Sequence, residues 1–133
     1  MEKILSSKGE LLHIIFRKQD FKNGRIDVAP STQFLQLSSL KMKKGKTFRP
    51  HKHIVYEKLT NMAQESWVVI QGSVKAVLFN LDDKVEREVI LNPGDVSITF
   101  KGGHTYEILE EDTLVYEYKT GPYLGQKFDK VFI

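Results

Sequence analysis

The sequence contains no cysteine. This absence excludes thiol catalysis, cysteine-based zinc sites and a disulfide-stabilised scaffold, and it is compatible with a cytoplasmic protein. The chain also lacks an apolar run long enough to cross a bilayer, and its start, MEKILSSKGE, does not have the pattern of a secretory signal peptide. We therefore expect a soluble, cytoplasmic protein with no membrane partner.

A strong excess of one charge is also missing, because the formal net charge is only +3. Much of that excess lies in the stretch KMKKGKTFRPHK, from Lys41 to Lys52. No aromatic-rich RNA-binding motif or DNA-recognition helix accompanies it, so we expect no nucleic-acid partner. The stretch is interpreted either as a solvated hairpin or as a surface that attracts an anionic small molecule, such as a nucleotide-linked substrate.

Long amphipathic helices are absent from the pattern, and short strands with turn signals between them are present almost throughout. The clearest turn is Asn92-Pro93-Gly94-Asp95. Such spacing predicts an all-β, antiparallel sandwich or barrel, and the absence of repeats and linkers predicts a single domain over residues 1–133. Residues 46–53 are expected to be extended and 54–64 irregular. The predicted strands are 10–16, 25–28, 34–42, 65–70, 73–80, 85–91, 96–100, 104–109 and 113–119.

Three histidines and one glutamate form the clearest chemical pattern. Alternate side chains of an extended chain point to the same face, so His51 and His53 share a face, as do Glu65 and Trp67 on the next strand. If these strands are neighbours, two imidazoles and one carboxylate converge, and His104 in KGGHTYEI supplies a third imidazole. Mixed nitrogen and oxygen donors of this kind suit a divalent first-row metal.

Two patterns bounded by glycines contain these residues. In the first, five residues separate Gly45 from His51-x-His53, and six residues separate Glu65 from Gly72. This arrangement resembles the first motif of the cupin superfamily.

The second pattern runs from Gly94-Asp95 through Gly102 to His104, and it resembles the second cupin motif. Phe100 stands where that motif usually has a proline, and His104 comes one residue early after Gly102. The two glycines before His104 give the backbone the freedom to absorb this shift.

The resemblance implies an antiparallel jelly-roll barrel whose mouth holds a small-molecule ligand and one divalent metal ion. Imidazole and carboxylate donors do not distinguish Zn, Fe, Mn and Ni. It also implies a homodimer, in which an N-terminal strand such as Leu11 to Phe16 joins the sheet of the neighbour. The implied metal ligands are His51, His53, Glu65 and His104.

The identity of the carboxylate ligand is open at this stage. Cupins usually place three or four residues between the second histidine and the glutamate, whereas eleven separate His53 from Glu65. Glu57 satisfies the spacing from His53, and Glu65 satisfies the spacing to Gly72. We prefer Glu65, which makes Ile54 to Gln64 an inserted loop that forms a lid or a substrate wall.

Two further residues are candidates for proton transfer or substrate binding. Tyr106 is two residues after His104, so in a strand the two side chains share a face, and Tyr106 either lines the pocket or packs in the core. Glu117 interrupts the apolar strand LVYEYK and is a candidate general base if it points inward. The hypotheses are a metal-dependent isomerase or epimerase acting on a sugar or sugar nucleotide, an Fe(II)-dependent dioxygenase, and a non-catalytic ligand-binding or sensing protein.

Overall fold

The computed structural model describes residues 1–133 and contains ten β-strands, two short 3-10 helices (Lys18–Asp20 and Gln126–Phe128) and no α-helix. No helix of the chain is both long enough and apolar enough to cross a membrane. The strands are β1 (Glu2–Leu5), β2 (Leu11–Phe16), β3 (Gly24–Asp27), β4 (Ser38–Lys41), β5 (Glu65–Gln71), β6 (Val74–Phe79), β7 (Val85–Leu91), β8 (Val96–Thr99), β9 (His104–Ile108) and β10 (Leu114–Lys119).

These strands form antiparallel sheets, as the sequence predicts. A five-stranded sheet has the order β1-β2-β8-β5-β10, a three-stranded sheet has the order β7-β6-β9, and β3 pairs with β4. The first two sheets face each other across an apolar core, which makes the fold a β-sandwich. No strand pairing joins the sheets into a ring, so the predicted barrel is not closed.

The central strands of the five-stranded sheet, β2 and β8, are covered on both faces, because apolar residues occur on both sides of the sheet there. Its inner face packs on the three-stranded sheet through a cluster that includes Ile15, Val69 and Leu78. Its outer face packs through Phe16 and Ile98 on the segment that contains β3 and β4. The near-continuous apolar sequence LLHIIF of β2 follows from this double coverage.

The predicted turn at Asn92 is confirmed. The Asp95 amide donates to the Asn92 carbonyl at 2.8 Å, and Gly94 has a φ of 89°, which favours glycine. The buried Asp95 carboxylate accepts the amides of Asn92 and Lys18 and pairs with Arg17 at 2.9 Å. This turn therefore ties β7 and β8 to the end of β2.

The predicted strands differ from the structure mainly before residue 65. The expected strand over 34–42 is shorter, Ser38–Lys41, and β1 was not predicted. Residues 42–64, which we call the connecting segment, contain no strand or helix. Gly45, Pro50 and five lysines in this segment interrupt the alternation that would bury one face.

Candidate functional site

The Glu65–His104 pair is the centre of the candidate site. Glu65 begins β5 in one sheet and His104 begins β9 in the other, and Oε1 of Glu65 lies 3.0 Å from Nε2 of His104. Their side chains are only 13% and 22% exposed. The pair therefore bridges the two sheets at a largely buried position.

The environment of the pair keeps Glu65 ionised. Burial alone would raise the pKa of this carboxyl, but the hydrogen bond and positive charge of His104, with the charges of Lys130 and Lys119, lower it below its ordinary value of 4.5. Nδ1 of His104 is buried and has no hydrogen-bond partner. A buried polar atom without a partner is a place where a polar ligand or a water molecule can bind.

Trp67 connects the pair to a second carboxylate. Its indole N–H lies 3.1 Å from Oε1 of Glu65 and 3.2 Å from Oε2 of Glu117, so it is shared between the two. Glu117 on β10 thus faces the same side of the sheet as Glu65, although it is 41% exposed. Its other oxygen lies 3.3 Å from Nζ of Lys119, which also contacts Asp129 at 3.4 Å.

Tyr106 lies beside this group on β9. Its ring stacks on Trp67 with centroids 4.0 Å apart and planes 11° apart, and it lies 5.4 Å from the ring of His104. Its hydroxyl is 2.8 Å from Oγ of Ser97. Burial raises the pKa of Tyr106 far above its ordinary value of 10.0, so the phenol keeps its proton.

The backbone before His104 is fixed by a close approach to β6. Gly102 has a φ of 79°, and a Cβ atom at this position would overlap the Phe79 carbonyl. That carbonyl accepts a hydrogen bond from Nε2 of His13 at 2.9 Å, and the Phe79 amide donates to the Gly103 carbonyl at 2.8 Å. These contacts set where the His104 strand begins.

His51 and His53 lie apart from the Glu65–His104 pair, on the exposed connecting segment. Their rings are 5.5 Å apart, and Nδ1 of His51 lies 3.0 Å from the Arg49 carbonyl. No three histidine or acidic side chains come together in a group that could hold a metal. Two of the four predicted donors are therefore together, and the four-donor metal centre stays a prediction.

The structure bears on the choice between the two glutamates. Glu57 is exposed on the connecting segment, whereas Glu65 contacts His104. The residue that the Gly72 spacing favoured is thus the one that lies at the site.

Sequence reasoning missed two parts of this site. His13, with no exposed surface, also contacts Oγ1 of Thr99 at 3.0 Å, and burial lowers its pKa. A lone histidine within the apolar strand LLHIIF has no spacing pattern that would indicate these contacts. Ser97 and Lys119 were missed because their roles depend on strand pairing, which alternation within a single strand does not reveal.

Two clefts elsewhere on the surface do not include the pair. One, of about 340 Å³, is lined by residues that include Arg17, Lys18 and Asp95. The other lies along residues 52–58 of the connecting segment.

Comparisons with protein-family models, with curated proteins and with solved structures found no match.

Proposed function

We propose that this chain is a cupin-like jelly-roll protein that binds a small polar molecule, such as a sugar or sugar nucleotide, at the Glu65–His104 pair. In this proposal it moves a proton on that molecule, as an isomerase or epimerase does. The observation that carries the proposal is the 3.0 Å contact between a carboxylate and an imidazole from opposite sheets, beside a buried nitrogen without a partner. Structural ion pairs seldom leave such a nitrogen unsatisfied.

The jelly-roll part of the proposal rests on the free edge of β9. This strand pairs with β6 on one side only. The connecting segment ends at Gln64, next to Glu65, which contacts His104 at the start of β9. We infer that residues 46–53, which the sequence predicts to be extended, add a strand there. Such pairing would satisfy the free backbone groups of β9 and bring His51 and His53 towards the site.

A divalent metal fits the pair in part. Two ligand atoms at about 2.0–2.2 Å from a six-coordinate metal are about 3 Å apart when they are adjacent. Oε1 of Glu65 and Nε2 of His104 have this separation, at 3.0 Å. A metal held by Glu65 and His104, with His51 and His53 from the added strand, would polarise a carbonyl or hydroxyl oxygen of the bound molecule.

The protein's own residues have separate roles in proton transfer. Glu65 remains a carboxylate, and in the metal-free protein its hydrogen bond orients the imidazole of His104, while Tyr106 keeps its proton. Glu117 has an exposed carboxylate on the same side of the sheet as Glu65, so it is the proposed base. The shared Trp67 N–H holds both carboxylates in position.

Exchange of hydrogen with solvent tests this proposal. Incubation of a keto nucleoside diphosphate sugar in D₂O should place deuterium beside the carbonyl, as read by NMR. We expect at least tenfold slower exchange in Glu117→Gln, because general-base catalysis contributes about 10²–10⁴-fold. Glu57→Gln is the matched control and should exchange at the wild-type rate. Binding of the sugar without exchange would instead favour a ligand-binding protein.

A further inference from the structure

Residues 121–133 follow β10 and fold back towards the candidate site, and we call them the C-terminal tail. Thr120 fixes the end of the strand, because its amide donates to the Gln64 carbonyl at 3.0 Å and its hydroxyl accepts the Gln64 amide at 3.1 Å. Gly125, with a φ of 102°, then allows the turn that leads into a short 3-10 helix. The start of the tail is therefore held beside Glu65, the residue that follows Gln64.

Lys119 connects the tail to the sheet. It lies directly opposite Glu65 in the pairing of β10 with β5, so the two side chains are on the same side of the sheet. Asp129 of the tail lies 3.4 Å from Nζ of Lys119, and the centroid of the Tyr123 ring lies 4.0 Å from the same atom. The side chains of Lys119 and Asp129 are only 22% and 19% exposed. The tail therefore packs against the sheet next to Glu65.

The tail also reaches the strand that carries His104. Cδ1 of Ile133 lies 2.9 Å from the position that a Cβ atom of Gly103 would occupy, and Gly103 directly precedes His104. Burial raises the pKa of Glu65, whereas His104 and then the charge of Lys130 lower it, which is consistent with a position of Lys130 near that carboxylate. The tail thus has contacts beside both members of the pair, which come from opposite sheets.

Few contacts hold the tail in this position. No tail residue belongs to either apolar cluster of the core. Its large apolar side chains are exposed, namely those of Leu124, Phe128, Val131, Phe132 and Ile133. Segments with few buried apolar contacts open at a lower free-energy cost than core strands do. The tail can therefore leave the site while the sandwich stays folded.

We propose that the C-terminal tail is a lid on the Glu65–His104 pair, closed by the contact of Asp129 with Lys119 and opened when that contact breaks. A site between two sheets needs such an opening, because the side chains of the pair are only 13% and 22% exposed. A lid that closes on a bound molecule excludes water from it and strengthens the electrostatic interactions in the site. This role of the tail rests on the proposed function, since a lid acts only where a molecule binds.

Histidine modification tests the lid without a substrate. Diethyl pyrocarbonate reacts with neutral imidazoles that solvent reaches, and mass spectrometry of peptides reports each histidine separately. The chain supplies its own references, because His51 and His53 are exposed and His13 has no exposed surface. Treatment with EDTA beforehand removes any metal that would protect its ligands. In the wild type, His104 should react about tenfold or more slowly than His53.

Removal of residues 121–133 should speed the reaction of His104 about tenfold or more, because the cover is gone, and should leave His51 and His53 unchanged. Asp129→Lys should speed it by a smaller factor, about two- to fivefold, because it replaces one ion pair with like charges at Lys119. A constant slow reaction at His13, together with circular dichroism, should show that the sandwich of each variant stays folded.

Glu111→Lys is the matched control, because it makes the same change of charge at an exposed residue in the turn between β9 and β10. This turn is at the far end of both strands from the pair, so His104 should react at the wild-type rate.

A wild type in which His104 reacts as fast as His53 would overturn the lid. So would a folded truncated chain in which His104 reacts at the wild-type rate. If the truncated chain does not fold, Asp129→Lys decides, and a rate equal to that of Glu111→Lys overturns the proposal. Because no substrate is present, a lid that behaves as expected in a protein that exchanges no sugar hydrogen would end the proposed reaction but not the lid.

Discussion

The two open sides of the sandwich are built from different chemistry. On one side, β1 and β7 are joined by an ion pair between Glu2 and Arg87 at 2.6 Å, and Ile4 of β1 is buried in the core. On the other side, β10 and β9 are the edge strands, and polar residues occupy the space between the sheets there. Glu65 and His104 meet at this second side.

This difference shows that polar residues replace apolar packing between the sheets on one side of the sandwich. The β1/β7 side buries Ile4 at 6% exposure, whereas the β9/β10 side holds two carboxylates around a single indole N–H. Buried or half-buried polar groups stabilise a fold less than apolar residues of the same volume. The presence of two carboxylates and an imidazole between the sheets on the β9/β10 side therefore supports a functional reason for them.

The largest effect should come from the apolar side. Ile4→Ala removes a side chain that is buried between the sheets, so the free energy of unfolding should fall by about 2–4 kcal/mol. Urea denaturation measures this change. Glu117→Gln on the polar side is the comparison and should change stability by less than about 1 kcal/mol. Equal losses in the two variants would remove the contrast between the sides.

The pKa of Glu65 should respond to its histidine partner. In the folded protein this pKa is lowered from 4.5, so the stabilisation that Glu65 provides is present above that value and is lost as pH falls through the folded pKa. His104→Gln removes the main lowering contact, and burial should then raise the pKa of Glu65. NMR titration of the carboxyl measures the shift.

The control for this titration is His13→Gln, which removes a buried histidine that does not contact Glu65. The carboxyl pKa should stay low in that variant. A pKa of Glu65 that is the same in His104→Gln and in the wild type would contradict the coupling of the pair.

The smallest effect should come from the ion pair on the apolar side. Arg87 and Glu2 are 54% and 36% exposed, and exposed pairs contribute about 0–1 kcal/mol. Arg87→Ala should therefore change the free energy of unfolding by no more than that, and the change should shrink at high salt. If Arg87→Ala lowered the free energy of unfolding as much as Ile4→Ala, the ion pair, and not the apolar packing, would be what holds β1 and β7 together.

Much of the fold was predictable from local patterns. The strands after residue 64 were correctly located because alternation and turn residues agree there, as at Asn92 and Gly94. β1 was missed because four residues at the chain start give too little periodicity. The pairing of β10 with β5 could not be predicted, since register depends on contacts between distant segments.

The candidate site was predictable only in part. Alternation along one strand placed Glu65 and Trp67 on the same face, and the spacing to Gly72 favoured Glu65 over Glu57. Parity could not show that Trp67 is shared with Glu117, because that contact crosses two paired strands. Parity also placed His51 and His53 together but could not say where the connecting segment packs.

Metal content across four purified variants tests the central claim most directly. Elemental analysis should find about one divalent metal per chain in the wild type and in Glu57→Gln, with most of it lost in Glu65→Gln and in His51→Ala. Circular dichroism should show all four folded, because the core is apolar. A wild type without metal, or Glu65→Gln that retains it while Glu57→Gln loses it, would contradict the proposed centre.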